Sequence, residues 1–194
     1  MNTKSVMIVG VGGQGTLLAS RIIGNVLTAS GADVKVSEVH GMSQRGGSVV
    51  TYVRYGDEVY SPVIEKGEAD IIIAFEQLEA ARYVPYLKKG GKIITSTQKI
   101  DPMPVISGSA VYPDGIIDKL RETGIDITAV DALSLAEEAG SPKASNVVLM
   151  GVLSKMTDFP PELFEQAVAE CVPEKFLELN KKAFALGREF TPAL

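Results

Sequence analysis

Four glycines fall within six residues, Gly10 to Gly15, in the stretch VGVGGQGTLL. They come after the apolar run Ser5 to Val9, which reads as a buried strand, and precede Thr16 to Thr28. In that segment Ala19, Ile22, Ile23 and Val26 recur at helical spacing. Gly10, Gly12 and Gly15 match G-x-G-x-x-G in its strand–turn–helix context. Gly10 is read as allowing the tight turn, Gly12 as letting the backbone approach a phosphate, and Gly15 as letting the helix pack closely. Backbone N–H groups at a helix start, together with the helix dipole, favour an anion. Gly10, Gly12, Gly13, Gln14, Gly15 and Thr16 are therefore candidate ligand-binding residues. The alternative is a tight turn that binds nothing.

Beyond Gly31 the alternation continues. Asp33 to Val39 reads as a strand, and Ser48 to Tyr55 as another, with Gly56-Asp57 as a turn into Glu58 to Val63. Ala69 to Phe75 is apolar throughout, the habit of a strand covered on both faces. A helix is expected over Gln77 to Lys88, stopped by Gly90-Gly91, and then a strand from Lys92 to Ser96. Ile100 to Gly108 reads as loop, Asp114 to Glu122 as helix and Asp126 to Val130 as a late strand. Pro161 to Val172 and Pro173 to Phe190 each carry an apolar stripe at helical spacing.

This order predicts an α/β fold with a doubly wound, mostly parallel Rossmann-like sheet and a helical C-terminal extension. The 194 residues fit a single domain, with the Rossmann-like core over about 1–140 and the C-terminal helices over about 144–190. Asn146 to Leu153 is apolar nearly all round, so a helix there is buried on every side. In so small a domain, the extra side is expected to be covered by another chain.

Composition removes several functions. The formal charge of −5 argues against nucleic-acid binding, which needs a basic face. The one cysteine, Cys171, excludes an intrachain disulfide and a four-cysteine cluster site. It lies in an apolar stripe and reads as a packed thiol. No metal-ligand spacing occurs. The opening MNTKSVMIVG lacks the apolar core of a signal peptide, and no apolar run approaches membrane length, which points to the cytoplasm.

The second unusual segment is HGMSQRGG, His40 to Gly47, with three glycines in eight residues. Arg45 beside Gly46-Gly47 would place a guanidinium next to exposed backbone donors, a grip for phosphate or carboxylate. Ser43 and Gln44 add neutral donors. Gly41 and Met42 complete the loop, and His40 reads as a hydrogen-bonding loop residue sooner than a proton carrier. Glu38, ending the second strand, stands where a dinucleotide-binding fold puts its ribose-binding acid, although a loop and not a helix comes next. Glu76 and Glu79 come at the end of the apolar strand, where such sheets face ligands, although most carboxylates there cap helices. No residue emerges as catalytic. Binding loops without a catalytic constellation suggest part of an enzyme.

GVGGQGTLLAS and SEVHGMSQRGGSV together resemble the gamma-type domain of the 2-oxoacid:ferredoxin oxidoreductases, and HGMSQRGG is most similar to the indolepyruvate branch. The likeness spans the chain, including SNVVLMGVL and the helical end. It implies the small subunit of an enzyme that oxidatively decarboxylates aryl 2-oxoacids to acyl-CoA and reduces ferredoxin. Thiamine diphosphate, Mg²⁺ and the iron–sulfur clusters would then belong to a large partner subunit. Ferredoxin would be met through the hetero-oligomeric complex, and CoA would be held at the glycine loops. The competing readings from the residues alone are an NAD(P)-binding oxidoreductase and a non-catalytic nucleotide-binding assembly module.

Overall fold

The computed structural model describes residues 2–39 and 47–192. Among these residues six strands form one sheet: β1 Lys4–Val11, β2 Asp33–Val39, β3 Ser48–Gly56, β4 Ala69–Ala74, β5 Leu87–Ser96 and β6 Asp126–Val130, in the order β2-β3-β1-β4-β5-β6. β1, β4, β5 and β6 pair in parallel. β3 is antiparallel to both β1 and β2, so it alone runs against the other five. The mostly parallel, doubly wound prediction holds, with one reversed strand inserted between β1 and β2.

The helices are α1 Thr16–Ala29, α2 Gln77–Tyr83, α3 Met103–Ile106, α4 Ile116–Glu122, α5 Ala132–Ala139, α6 Ser145–Ser154, α7 Pro161–Cys171 and α8 Leu177–Glu189. Side chains alternate along each strand, and the two sheet faces receive different layers. Val6, Ile8, Val53, Ile73 and Ile94 pack on one face with α1 and the helices α5 to α8. Met7, Val9, Ile72 and Ile93 pack on the other with Ala80 of α2 and Ile117 and Leu120 of α4. The C-terminal helices and α1 together therefore form one covering layer of the sheet.

α6 is buried on every side, as its composition requires, but by this same chain, which corrects the expectation of a second chain there. Val147, Val148, Leu149, Met150, Val152 and Leu153 are each at most 2% exposed. α8 covers the remaining side at backbone contact. A Cβ on Gly151 would lie 2.2 Å from the Phe184 carbonyl oxygen, and one on Gly187 2.0 Å from that of Val148.

Three other boundaries differ from expectation. The helix from Gln77 ends at Tyr83, and Val84–Tyr86 forms one tighter turn. Pro85 explains this, because proline has no N–H for a helix interior. β5 consequently begins at Leu87, with its register to β4 broken between Ala69 and Ile71. Glu58 to Val63 does not join the sheet. It is held instead by Val59 N–H donating to Asp33 Oδ2 at 2.8 Å and by the Arg54 guanidinium on the Val63 carbonyl at 2.9 Å. Within the expected loop Ile100 to Gly108, Met103–Ile106 makes the single turn of α3.

Candidate functional site

In a doubly wound sheet, ligands gather at the carboxyl ends of the strands where the winding reverses. Here that point lies between β1 and β4, with α1 on one face and α2 on the other. The glycine loop sits there. Gly10 belongs to β1, paired with Val49, and does not make the turn. It is small because a Cβ would lie 3.0 Å from Gln14 Oε1 and 3.1 Å from Phe75 Cβ. The turn is made by Gly13 and Gly15, with φ of 100° and 81°, a region costly for any residue with a Cβ.

Gln14 ties the loop to the sheet. Its Oε1 accepts the Val11 N–H at 2.8 Å, and its Nε2 donates to the Phe75 carbonyl at 2.8 Å and to Gln98 Oε1 at 3.1 Å. The ends of β1, β4 and β5 are thus joined by one side chain. Gln14 is a scaffold for the loop, and its amide is already committed.

Gly15 caps α1 without a side-chain hydrogen bond to the first turn. The Leu18 N–H turns back to the Gly15 carbonyl at 3.1 Å, so the Thr16 and Leu17 N–H groups at the helix start are those left to a ligand or water. Gly13 has open space where a Cβ would stand, so a phosphate can approach its backbone. The close neighbour of Gly15 is α6: Asn146 Nδ2 donates to the Gly15 carbonyl at 3.2 Å and would lie 2.3 Å from a Cβ. Gly15 thus lets α1 approach another helix. Thr16 is buried at the same turn. Clefts flank the loop. One of about 330 Å³ runs from Gly12 to Leu17 along Val39, Val49 and Thr51. Another of about 520 Å³ lies between Gly13–Gly15 and Gln98, Lys143 and Ser145.

The second motif meets the first through the backbone. Gly12 N–H donates to the Gly47 carbonyl at 2.9 Å. The Gly12 N–H is therefore used within the protein, and the donors left open at this turn are those of Gly13, Gly15 and Thr16. His40, Gly41, Met42, Ser43, Gln44, Arg45 and Gly46 lie outside the described residues.

The remaining candidates have structural partners. Glu76 caps α2 by accepting the Glu79 N–H at 3.0 Å, and also accepts Ile100 N–H at 3.3 Å and the Tyr112 hydroxyl. Burial and that contact hold the Tyr112 phenol strongly in its neutral form. Glu79 is buried beside Ser48 and pairs with Arg82 at 3.1 Å, and burial raises its carboxyl above the ordinary range. The Cys171 thiol is likewise pushed up by burial, the opposite of a reactive thiolate. Among the described residues, no cluster of three or more His, Cys, Asp or Glu could hold a metal ion. None of their helices is long and apolar enough to cross a membrane.

Glu38 fails the dinucleotide test. β3 separates β2 from β1, which sets Glu38 two strand spacings, about 9–10 Å, from the strand that feeds the glycine loop. Its carboxylate accepts from Ser20 Oγ on α1 at 2.8 Å. Sequence patterns do not single out Lys143 and Asn146. The signal they offer is the polar run SPKASN before an apolar helix, which reads as an ordinary helix start.

Fold and site define an α/β domain with a phosphate-suited loop at the topological switch point and no catalytic constellation of its own among the described residues. The model of the pyruvate ferredoxin/flavodoxin oxidoreductase family matches residues 5–190, and the chain belongs to that family. It is 43% identical over 194 residues to indolepyruvate oxidoreductase subunit IorB of Thermococcus kodakarensis, covering 96% of this chain and 95% of that one. Among solved structures, the gamma subunit of the keto/oxoacid ferredoxin oxidoreductase of Geobacter sulfurreducens matches with a TM-score of 0.75 at 26% identity. That match covers 97% of this chain and 96% of the other. The 2-oxoglutarate:ferredoxin oxidoreductase of Magnetococcus marinus, solved with 2-oxoglutarate, coenzyme A and succinyl-CoA, shares the fold with a TM-score of 0.75 at 20% identity. All of this chain matches 32% of that longer one.

Proposed function

We propose that this chain is the small subunit of an indolepyruvate-type 2-oxoacid:ferredoxin oxidoreductase and that its glycine loops hold CoA. The carrying observation is the Gly12–Thr16 turn. It has two left-handed glycines, a helix start without a side-chain cap and open space over Gly13, all at the switch point of the sheet. The 43% identity to subunit IorB supports the aryl-pyruvate substrate. CoA bound here would supply the thiol that collects the acyl group.

The balance of the reaction explains the division of labour. A 2-oxoacid and the CoA thiol give acyl-CoA, CO₂, a proton and an electron pair. The chain has one cysteine and no thiamine site recognisable in its sequence, so the decarboxylating and electron-carrying cofactors belong to the large partner. Gly13, Gly15 and Thr16 would bind phosphate through backbone N–H groups, and Arg45 through its guanidinium. The chain acts as one domain, its C-terminal helices inseparable from the core they cover, in the reducing cytoplasm.

The test is reconstitution. The purified chain should be colourless and inactive. Indolepyruvate-dependent reduction of an electron acceptor should appear on adding the large subunit, thiamine diphosphate, Mg²⁺ and CoA. Decarboxylation by the lone chain would rule the proposal out.

A further inference from the structure

The amino ends of the strands, opposite the glycine turn, hold a cavity of about 450 Å³ that the proposed function does not use. Lys4 on its rim opens β1, and the glycine turn follows Val11 at the far end of that strand, about 23 Å away by strand rise. The volume is that of a small-molecule pocket. Its lining is apolar and aromatic. Val6 and Ile71 are register partners on β1 and β4. The Tyr55 and Phe159 rings stand 5.9 Å apart, tilted by 58°, and Met156 completes the apolar lining.

The rim is cationic. The turn from Lys88 to Lys92 has Gly90 at φ 80°, and Gly91 is pressed onto β4, where a Cβ would lie 3.0 Å from the Ala69 and Asp70 carbonyl oxygens. This turn brings Lys88, Lys89 and Lys92 to the cavity, and β1 brings Lys4. Against these four cations stand two carboxylates, Asp70 and Asp158, in a chain of net charge −5. Asp70 is already used: it accepts Ser5 N–H at 2.9 Å and pairs with Lys88 at 3.1 Å and Lys4 at 3.9 Å. Lys92 pairs with Asp126 at 3.3 Å. Lys89 has no hydrogen-bond or ion-pair partner among the described residues.

Tyr55 points to the ligand. It is only 8% exposed, yet its hydroxyl makes no hydrogen bond to any described residue. A phenol so deeply buried ordinarily finds a partner. Burial, with Asp70 and Asp158 nearby, pushes this phenol up to about 12, so at neutral pH it is a neutral donor. A donor set among apolar walls calls for an acceptor oxygen on an apolar body, and the spare cation calls for that oxygen to be charged. We infer that this cavity binds a small aromatic carboxylate, its rings against Phe159 and the apolar lining and its carboxylate served by the Tyr55 hydroxyl and Lys89. Its occupant would not compete with a ligand at the glycine turn, which lies at the other end of the sheet.

Titration calorimetry of the full-length chain with 2-naphthoate should give a Kd of about 1 mM or tighter. The amide, 2-naphthamide, has the same rings and no charge, and should bind at least about tenfold more weakly. Tyr55→Phe keeps the ring and removes the donor. It should weaken 2-naphthoate binding by about tenfold while Tm stays at wild type, because the hydroxyl has no structural partner to lose. Lys89→Gln should weaken binding by about threefold and flatten its salt dependence. A wild-type Kd well above about 1 mM, or equal affinity for acid and amide, would overturn the site. So would binding by Tyr55→Phe within about twofold of wild type. Should Tyr55→Phe melt lower, Lys89→Gln decides, and unchanged affinity and salt dependence there would equally overturn it. Each of these outcomes leaves the small-subunit reading untouched, since that reading concerns the opposite end of the sheet.

Discussion

The Gly12 N–H donates to the Gly47 carbonyl at 2.9 Å, and this bond ties the glycine turn to the last residue of the second glycine motif, far along the sequence. It also commits the Gly12 N–H within the protein, so an anion bound at this turn would have to meet the donors after it. The loop can present those donors only while Gln14 holds the three strand ends together.

Gln14→Ala is therefore expected to act on stability first. It strips partners from Val11 N–H, the Phe75 carbonyl and Gln98. Leaving partly buried polar groups unpaired costs about 1–3 kcal/mol, or about 2–4 °C in Tm for each kcal/mol in a chain of this size. Gln14→Glu should recover little, since a carboxylate cannot donate to Phe75. Urea unfolding of the isolated chain checks both variants.

Gly15→Ala should cost more, for two separable reasons. Its φ of 81° strains any Cβ by roughly 1–2 kcal/mol, and that Cβ would stand 2.3 Å from Asn146 Nδ2. Adding Asn146→Ala removes the clash but not the strain. The double variant should thus lose less stability than the two single losses added together, which a double-mutant cycle of thermal melts reads directly.

Most elements can be read from the sequence, and the exceptions share a physical cause. Periodicity locates α1, and unbroken apolar runs locate β4 and α6, because those signals are local. That β3 runs backwards between β1 and β2 depends on pairing, such as Ile8 with Thr51, that no local pattern records. The glycine loop reads as a turn suited to phosphate, yet its sequence groups Gln14 with the binders. The true partners of Gln14, Phe75 and Gln98, lie 61 and 84 residues away. α6 reads as buried, but composition alone cannot name its cover, because the Gly151–Gly187 backbone approach is a tertiary fact. Pro85 is different: it is a local signal, and it ends the second helix before the glycines do.

Glu79 predicts a pH dependence of stability. Burial raises its folded-state pKa above the ordinary value of 4.5, so the native chain keeps the proton longer than the unfolded chain. The contribution is present below that value and is lost as pH rises through the folded pKa. Glu79→Gln should flatten the fall in Tm over the weakly acidic range just above pH 4.5. An unchanged Tm–pH curve would mean that Arg82 and Ser48 fully offset the burial.

Binding of CoA by the coupled glycine loops is tested most sharply by Arg45→Ala in the reconstituted complex. Losing a charge-assisted phosphate contact costs roughly 1.5–3 kcal/mol, so the KM for CoA should rise by about ten- to a hundredfold. The KM for indolepyruvate should stay near wild type, and Arg45→Lys should recover part of the loss, since an ammonium lacks the planar fork. An unchanged KM for CoA together with abolished decarboxylation would refute CoA binding at these loops and assign them to the 2-oxoacid or thiamine site.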